Sequence, residues 1–175
     1  HSSLRREGVQ IPVQRRSRYP TSLALVTTNA NKQPSYTLYR KGIADTDITF
    51  SEIATQLPAD LTVLHTGSLA ITPDQLPKIR ELMQLMQRRS IVISLDLNIR
   101  LGANPDTDAY LEGVRSLLPF ADLIKASDED LAPFQFARDA ERAARIAYGQ
   151  QGKGMFVLTQ GASETVLFVG DTVLR

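Results

Sequence analysis

The chain has 175 residues, of which 42% are hydrophobic and 22% charged, with no cysteine and only two histidines. This composition predicts a globular domain and excludes a disulfide framework, a cysteine nucleophile, a multi-histidine metal site and, because no apolar run nears the ~18 residues required, a membrane span. Residues 1–41 carry eight Lys and Arg against one acid, so this segment favours contact with solvent or with an anion. No basic helix with interleaved aromatic residues accompanies this charge, so no nucleic-acid partner is predicted. The lack of cysteine favours a cytoplasmic location.

The N-terminal part of the chain predicts a β-hairpin. The apolar and β-branched residues at 22–28 and 35–40 favour strands, and the turn-forming residues at 29–34 favour a tight connection between them. Side chains alternate across a strand, so Tyr39 and Arg40 are expected on opposite faces of the hairpin.

From Phe50 onward, helical periodicity alternates with short apolar runs. Ser51 and Thr72 predict helix starts, Gly149 predicts a helix end and Gly161 a turn. Strands are predicted at 61–66, 91–96, 121–125, 154–159 and 164–169, and helices at 52–56, from 72 onward, and at 107–118, 127–134 and 139–148. Repeated strand–helix–strand units require right-handed crossovers. We therefore expect an α/β fold with a mostly parallel sheet flanked by helices and a final antiparallel hairpin.

Ligands of open α/β sheets bind beyond the carboxyl ends of the strands, so the residues that follow each strand are the candidate site. Asp96, Asn98 and Arg100 bring a carboxylate, an amide and a guanidinium to one strand exit. Asn can donate to sugar oxygens and Arg offers a planar fork for a carboxylate or phosphate, which favours a polar ligand. An Asp96–Arg100 ion pair that only fixes the loop is the alternative.

Residues 125–130 are open to two interpretations. Ser127 is a good N-cap, and the acids at 128–130 suit the positive first turn of a helix. The same acids could hold Mg²⁺ through water, because this ion prefers few carboxylates together with phosphate and solvent.

Three further segments carry weaker indications. Thr159 and Gly161 predict either a simple turn or a place where a nucleotide approaches the backbone closely. His65, inside an apolar strand, is expected to be a satisfied sheet residue. The glycines at 149–154 lack the Walker spacing and no G-x-G-x-x-G follows a strand, so neither a P-loop nor a Rossmann dinucleotide site is predicted.

Six motifs in register resemble the ribokinase-like carbohydrate kinases, nearest to fructokinases. They are Pro20-Thr21 before a strand, Tyr39-Arg40 followed by Ala44-Asp45, and the segments 64–68 (LHTGS), 96–100 (DLNIR), 121–130 (ADLIKASDED) and 159–161 (TQG). The resemblance extends over about residues 20–161, and residues 4–9 also look like the helix end that precedes the family's lid.

The resemblance implies a ribokinase-like α/β core over residues 49–175 and, over residues 1–48, the end of a helix and the strands of a small β-lid. It implies transfer of the ATP γ-phosphoryl group to a sugar hydroxyl, with ATP and Mg²⁺ as cofactors, and a possible homodimer through the lid. Ser127 and Asp130 stand where the family has Asn and Glu. The implied site residues are, for the sugar, Tyr39, Arg40, Asn98 and Arg100; for the nucleotide, Lys125, Ser127, Thr159 and Gly161; and for the metal, Asp130.

The family's Gly-Ala-Gly-Asp motif, which forms an anion hole and supplies the catalytic base, does not occur in this sequence. No catalytic residue is therefore assigned, and we expect the chain to be inactive alone because phosphoryl transfer needs charge stabilisation and a base. The sequence indicates an internal fragment of a longer kinase. A 2-keto-3-deoxygluconate kinase-like enzyme and a non-catalytic ligand-binding α/β domain are the alternatives.

Overall fold

The computed structural model describes residues 2–13, 15–28, 34–103 and 106–175. The chain separates into two compact units, His1–Asp60 and Leu61–Arg175. The boundary predicted at residues 48 and 49 lies before the last helix of the N-terminal unit. Among the described residues, no helix is both long enough and apolar enough to cross a membrane.

The N-terminal unit contains the predicted β-hairpin. A short helix α1 (Ser2–Arg6) is followed by strands β1 (Leu23–Thr28) and β2 (Pro34–Tyr39). The two strands pair antiparallel, with Leu23 opposite Tyr39, which confirms the hairpin. The predicted turn lies almost wholly outside the described residues. All six side chains of β1 are exposed.

Helix α2 (Phe50–Gln56) closes the N-terminal unit and begins earlier than predicted. Its N-cap is Thr49, so the assignment of Ser51 as the cap is wrong. Thr49 and Glu52 form a capping box, in which each side chain accepts a hydrogen bond from the other residue's backbone N–H. This reciprocal pair satisfies two backbone donors at once, which a cap at Ser51 could not do.

The C-terminal unit is built on one six-stranded sheet in the order β3-β4-β5-β6-β7-β8. Strands β3 to β6 run parallel and β7 is added antiparallel, as predicted. Strand β8, for which no pairing was predicted, adds a second antiparallel strand beside β7. The strands are β3 (Val63–Gly67), β4 (Val92–Asp96), β5 (Leu123–Ser127), β6 (Met155–Thr159), β7 (Val166–Val169) and β8 (Thr172–Leu174).

Four helices connect these strands: α3 (Leu76–Arg88), α4 (Thr107–Arg115), α5 (Asp128–Leu131) and α6 (Ala140–Gln151). Helix α3 begins at Leu76 rather than Thr72, because a 3-10 turn over Ser68–Ile71 and a further turn precede it. Helix α6 continues past Gly149 and ends at Gly152, which adopts a φ of 75°. Gly149 has no such conformation, so the predicted helix end is three residues too early.

Alternation along the strands gives the sheet two different faces. Buried side chains form the inner face, including Ile93, Leu95, Ile124, Phe156 and Phe168, and α6 packs there through Tyr148, whose ring centroid lies 5.9 Å from that of Phe168. The alternate positions form the outer face, and their side chains are exposed or half-buried: Val63, His65, Val92, Ser94, Leu123, Lys125, Met155, Val157, Leu167 and Val169. The carboxyl ends of β3 to β6 meet at one edge, called the carboxyl edge below; their starts form the amino edge.

Candidate active site

The strand register brings several of the predicted site residues to the carboxyl edge. Asp96 at the end of β4 lies opposite Gly67 on one side and Lys125 on the other. Ser127 lies opposite Thr159 on the next pair of strands. The predicted nucleotide residues Lys125, Ser127 and Thr159 are therefore neighbours, although 34 residues separate the first from the last.

Gly67 is a residue at this edge that the sequence analysis did not assign to the site. A Cβ atom there would lie 1.9 Å from the carbonyl oxygen of Asp96, and the φ of Gly67 is 150°. Only glycine allows this approach of the β3 exit to β4. The available signal was a glycine directly after a strand whose last residues are His65 and Thr66.

The Asp130 carboxylate ties the start of α5 to the loop after β4. Ser127 is the N-cap, as predicted, and its Oγ accepts from Asp130 N at 3.1 Å. Asp130 Oδ2 accepts from Ser127 N at 2.8 Å, and Asp130 Oδ1 accepts from Ile99 N at 2.7 Å. Asp130 is only 5% exposed. One buried carboxylate thus fixes the loop that carries the predicted sugar residues relative to the predicted nucleotide residues.

Lys125 lies between two carboxylates at this edge. Its Nζ is 3.3 Å from Asp96 Oδ1 and 3.9 Å from Asp130 Oδ2, while its side chain remains 38% exposed. Asp96 Oδ1 is buried, and apart from this ion pair with Lys125 no described residue donates a hydrogen bond to it. In the part of the chain that the structure describes, Asp96 forms no ion pair with Arg100, so the alternative of a loop-fixing Asp96–Arg100 pair gains no support.

The loop after β4 presents Asn98 between two buried neighbours and then Arg100. Leu97 and Ile99 are buried, and Asn98 between them has a φ of 36°, a conformation that few residues other than glycine adopt. Arg100 is exposed, and its backbone N–H donates to the Tyr110 hydroxyl at 3.4 Å. Burial raises the pKa of the Tyr110 phenol, so this hydroxyl stays protonated beside the loop.

Thr159 and Gly161 follow β6 at the same edge. Thr159 is half-buried, and Gly161 has a φ of 57° in a turn closed by a hydrogen bond from Ser163 N to Gln160 O at 2.9 Å. The positive φ explains the glycine, since a Cβ atom there would meet no other atom within 4 Å. The turn interpretation is confirmed, and contact with a nucleotide stays a prediction.

The predicted lid residues lie in the N-terminal unit. Tyr39 at the end of β2 is 54% exposed. Arg40 follows it with a side chain only 10% exposed, and its Nη1 lies 2.7 Å from Asp45 Oδ2. Arg40 belongs to the N-terminal unit and Arg100 to the C-terminal unit, and their convergence on one sugar stays a prediction.

Two other titratable features of the C-terminal unit bear on its chemistry. His65 lies within β3, and its Nδ1 is 3.0 Å from Ser94 Oγ on β4, which agrees with a satisfied sheet residue. The described residues contain no group of three or more His, Asp or Glu side chains that could by itself hold a metal ion. A metal here would need ligands from a phosphate or from water.

A family model and the most similar known proteins identify the same family for this chain. The whole chain, residues 1–175, matches the pfkB family of carbohydrate kinases. It is 31% identical to a fructokinase of Rhizobium leguminosarum bv. trifolii over 143 residues, which is 82% of this chain and 43% of that protein. It is 31% identical to fructokinase-2 of rice over 153 residues, or 86% of this chain and 45% of that protein.

Solved structures agree on the fold. The fructokinase of Xylella fastidiosa superposes with a TM-score of 0.79 at 23% identity over 99% of this chain and 56% of its own. The fructokinase of Vibrio cholerae with bound fructose, ADP and calcium gives 0.76 at 20% identity, again over 99% and 56%. The chain therefore spans about half the length of the relatives that it matches.

Proposed function

Because the chain belongs to the pfkB family of carbohydrate kinases, we propose that it forms part of an ATP-dependent, fructokinase-like sugar kinase that transfers the γ-phosphoryl group of ATP to a sugar hydroxyl. The observation that carries this proposal is the carboxyl edge, where Lys125, Ser127 and Thr159 adjoin the loop with Asn98 and Arg100. Phosphoryl transfer depends on positioning and on charge stabilisation, and this edge holds a lysine and a sugar-compatible loop together. The cysteine-free sequence supports a cytoplasmic location.

The acids of the carboxyl edge suit Mg²⁺ that arrives with ATP. Both Asp130 oxygens accept a backbone hydrogen bond, so this carboxylate fits contact with a water of the ion better than a full set of direct bonds. We assign Asp130 to this role. When bound, Mg²⁺ would neutralise phosphate charge, while Lys125 is the residue of this chain that would contact the phosphates.

We infer that this chain binds its ligands without turnover. It lacks the Gly-Ala-Gly-Asp segment, and no other residue is assigned as the base that would accept the sugar hydroxyl proton. Titration calorimetry with ATP, fructose and 2-keto-3-deoxygluconate, run beside a phosphorylation assay, separates binding from chemistry. Phosphorylation of fructose by the 175-residue chain alone would contradict this inference, and binding of none of the three ligands would contradict the proposed site.

Two lysines offer a matched test of the nucleotide residues. Lys125 and Lys153 each pair with a carboxylate, but Lys125 is at the carboxyl edge and Lys153 at the amino edge, 2.5 Å from Asp122 Oδ1. Lys125→Ala should weaken ATP binding about tenfold or more, because it removes a charged contact with phosphate. Lys153→Ala should leave ATP binding unchanged. Equal effects of the two variants would remove Lys125 from the nucleotide site.

Fructose is the substrate that the contacts favour over an acidic sugar. Arg40 already pairs with Asp45, which offsets the positive charge that a sugar carboxylate would need. Several curated relatives are fructokinases, and the Vibrio cholerae structure holds fructose. Tighter binding of 2-keto-3-deoxygluconate than of fructose, measured by the same calorimetry, would reverse this assignment.

A homodimer through the hairpin is part of the proposal. Leu23 and Leu25 on β1 are 55% and 48% exposed and share a face with Tyr39, the partner of Leu23 across the hairpin. Such an exposed apolar surface is typical of an interaction site. Sedimentation should give a dimer that Leu25→Lys converts to a monomer, whereas Glu81→Lys on the exposed side of α3 should leave it unchanged.

A further inference from the structure

The loop that follows β4 is held by hydrogen bonds to three separate elements. Leu97 N donates to a backbone carbonyl of β5 at 3.0 Å, and Ile99 N donates to Asp130 Oδ1 at the start of α5 at 2.7 Å. Arg100 N donates to the Tyr110 hydroxyl on α4 at 3.4 Å. The backbone of this loop is therefore bonded at three of its residues to partners that lie outside it.

The same loop contains a backbone conformation that needs such support. Asn98 has a φ of 36°, in the left-handed region, and lies between the bonded residues. A residue other than glycine keeps this conformation only where its surroundings fix it, because it is sparsely populated otherwise. The bonds on either side of Asn98 therefore hold the backbone from which its amide and, two residues later, the exposed side chain of Arg100 extend.

Tyr110 is the residue of this set to which the sequence analysis assigned no role. It lies in α4, is 0% exposed and belongs to the largest fully buried side chains. A buried hydroxyl costs free energy unless it is hydrogen-bonded, so packing alone would favour phenylalanine at this position. The hydroxyl is explained by the group that it contacts, which is the backbone N–H of Arg100.

The two side chains that bond this loop differ in charge. Burial raises the pKa of the Tyr110 phenol above its ordinary value of 10, so its hydroxyl is a neutral acceptor at physiological pH. Asp130 is a carboxylate that also bonds Ser127 N beside the predicted nucleotide residues. Tyr110 therefore holds the predicted sugar loop without adding charge, whereas Asp130 contacts both predicted subsites.

We propose that Tyr110 is a positioning residue for the sugar, which acts through its hydrogen bond to Arg100 N rather than by contact with a ligand. This inference rests on the proposed function, in which Asn98 and Arg100 bind the sugar. A loop that is already fixed loses less conformational freedom when its ligand binds, which strengthens binding without an added contact. Loss of the hydroxyl should therefore weaken sugar binding and leave ATP binding unchanged.

Two tyrosines provide a matched pair of variants. Tyr110→Phe removes the hydroxyl and retains the ring that fills the core. Tyr148→Phe is the control, because the Tyr148 hydroxyl accepts from Gly170 N at 2.7 Å and donates to Gly154 O at 3.2 Å, both at the amino edge. The control loses two hydrogen bonds and Tyr110→Phe loses one. It should therefore lower the urea midpoint at least as much, which separates lost stability from lost position.

Titration calorimetry of the 175-residue chain with fructose and with ATP measures the effect on each ligand. Tyr110→Phe should weaken fructose binding about threefold to tenfold, as expected for one lost hydrogen bond, and Tyr148→Phe should change neither affinity. Unchanged fructose affinity in Tyr110→Phe would overturn the inference and leave the proposed function standing. Equal losses of fructose and ATP affinity, or an equal loss of fructose affinity in the control, would overturn it too, because they indicate a purely structural role.

Hydrogen exchange of the Arg100 amide tests the hydrogen bond itself with no ligand present. This amide should exchange slowly in the original chain and at least about tenfold faster in Tyr110→Phe, whereas the Ile99 amide, bonded to Asp130, should exchange equally in both. An unprotected Arg100 amide in the original chain would overturn the inference whatever the calorimetry gives. A protected amide in an original chain that binds no fructose would contradict the proposed function, and with it the role of Tyr110 toward the sugar.

Discussion

Each edge of the parallel sheet carries an Asp–Lys pair, and the two edges use it differently. At the amino edge Asp122 accepts from Ile93 N at 2.9 Å and from Lys153 Nζ at 2.5 Å, so one acid meets one base. At the carboxyl edge Lys125 is shared between Asp96 and Asp130. The balanced pair completes the start of the strands. The three charged groups at the carboxyl edge leave one negative charge without a partner. This is the edge at which α/β sheets bind their ligands.

The backbone is packed equally closely at the two edges, and a glycine at each edge allows this to be tested. A Cβ atom at Gly154 would lie 1.9 Å from the Asp122 carbonyl oxygen, the same distance as at Gly67 against Asp96. Gly67→Ala and Gly154→Ala should each lower the free energy of unfolding by at least about 3 kcal/mol, because backbone must move in both cases. Urea denaturation of the 175-residue chain measures the loss.

The matched control for the glycine pair is Gly149→Ala. Gly149 lies inside α6 and a Cβ atom there meets nothing within 4 Å, so alanine should raise the free energy of unfolding by up to about 1 kcal/mol. A Gly67→Ala variant as stable as the original chain would mean that β3 does not approach β4 as described.

Substitution of the acids, unlike that of the glycines, should affect the free energy of unfolding differently at the two edges. Asp130→Ala leaves Ile99 N and Ser127 N without their acceptor in a buried site and should cost about 2 kcal/mol in the free energy of unfolding. Asp122→Ala removes one backbone acceptor at a half-exposed site and should cost about 1 kcal/mol. Urea denaturation and the exchange rate of the Ile99 amide, which should rise only in Asp130→Ala, measure the difference.

Ligand binding extends this comparison. Asp130→Ala should also change the affinity for ATP, because it releases both Lys125 and the start of α5, whereas Asp122→Ala should not. If the two variants lose equal stability and neither alters ATP binding, the carboxyl edge is a structural edge like the other and the assignment of Asp130 to the metal fails as well.

Sequence periodicity was sufficient for the sheet and for the location of its candidate site. The parallel direction follows from strands that alternate with helices, and the edge rule then places Lys125, Ser127 and Thr159 at the same edge of the sheet. The Ser127 cap is also local, because it depends on a residue only three positions away. The pattern Thr49-x-x-Glu52 also predicts a cap at Thr49. Ser51 was chosen instead, although it has no Glu or Gln three residues later.

The links that define the site could not be predicted, because they join residues far apart in sequence. Asp130 bonds Ile99 across 31 positions, and Lys125 pairs with Asp96 across two strands. Spacing alone gave Asp96 a closer candidate partner in Arg100. Which acid a lysine pairs with is decided by strand register and by the fold of the following loop, and neither is a local property of the sequence.

The N-terminal unit also has one basic side chain between two acids, as Lys125 has at the carboxyl edge, but this cluster is exposed. Arg15 hydrogen-bonds Glu52 through Nε, and its Nη1 lies 2.9 Å from Asp47 Oδ2. The Arg15 guanidinium, together with hydrogen bonds from the Thr49 backbone and hydroxyl, lowers the pKa of Glu52 from its ordinary 4.5 to about 2, and Arg15 also lowers the pKa of Asp47. A lowered folded-state pKa means that the stabilisation is complete above the unfolded-state pKa and disappears as the pH falls through the folded-state value.

The smallest expected effect is therefore a loss of stability of the N-terminal unit between about pH 4.5 and pH 2, weakened further by salt because the cluster is exposed. Carbon-detected NMR of the Glu52 carboxyl should give a midpoint near 2 in the original chain and a higher midpoint in Arg15→Ala, which stays below 4.5 because the hydrogen bonds from Thr49 remain; Arg18→Ala is the control. A midpoint near 4.5 in the original chain would mean that the cluster does not form in solution. If the Arg15 cluster forms and yet contributes little to the free energy of unfolding, the ratio of two acids to one base is not what stabilises such a cluster. The larger loss expected for Asp130→Ala would then be due to the burial of Asp130.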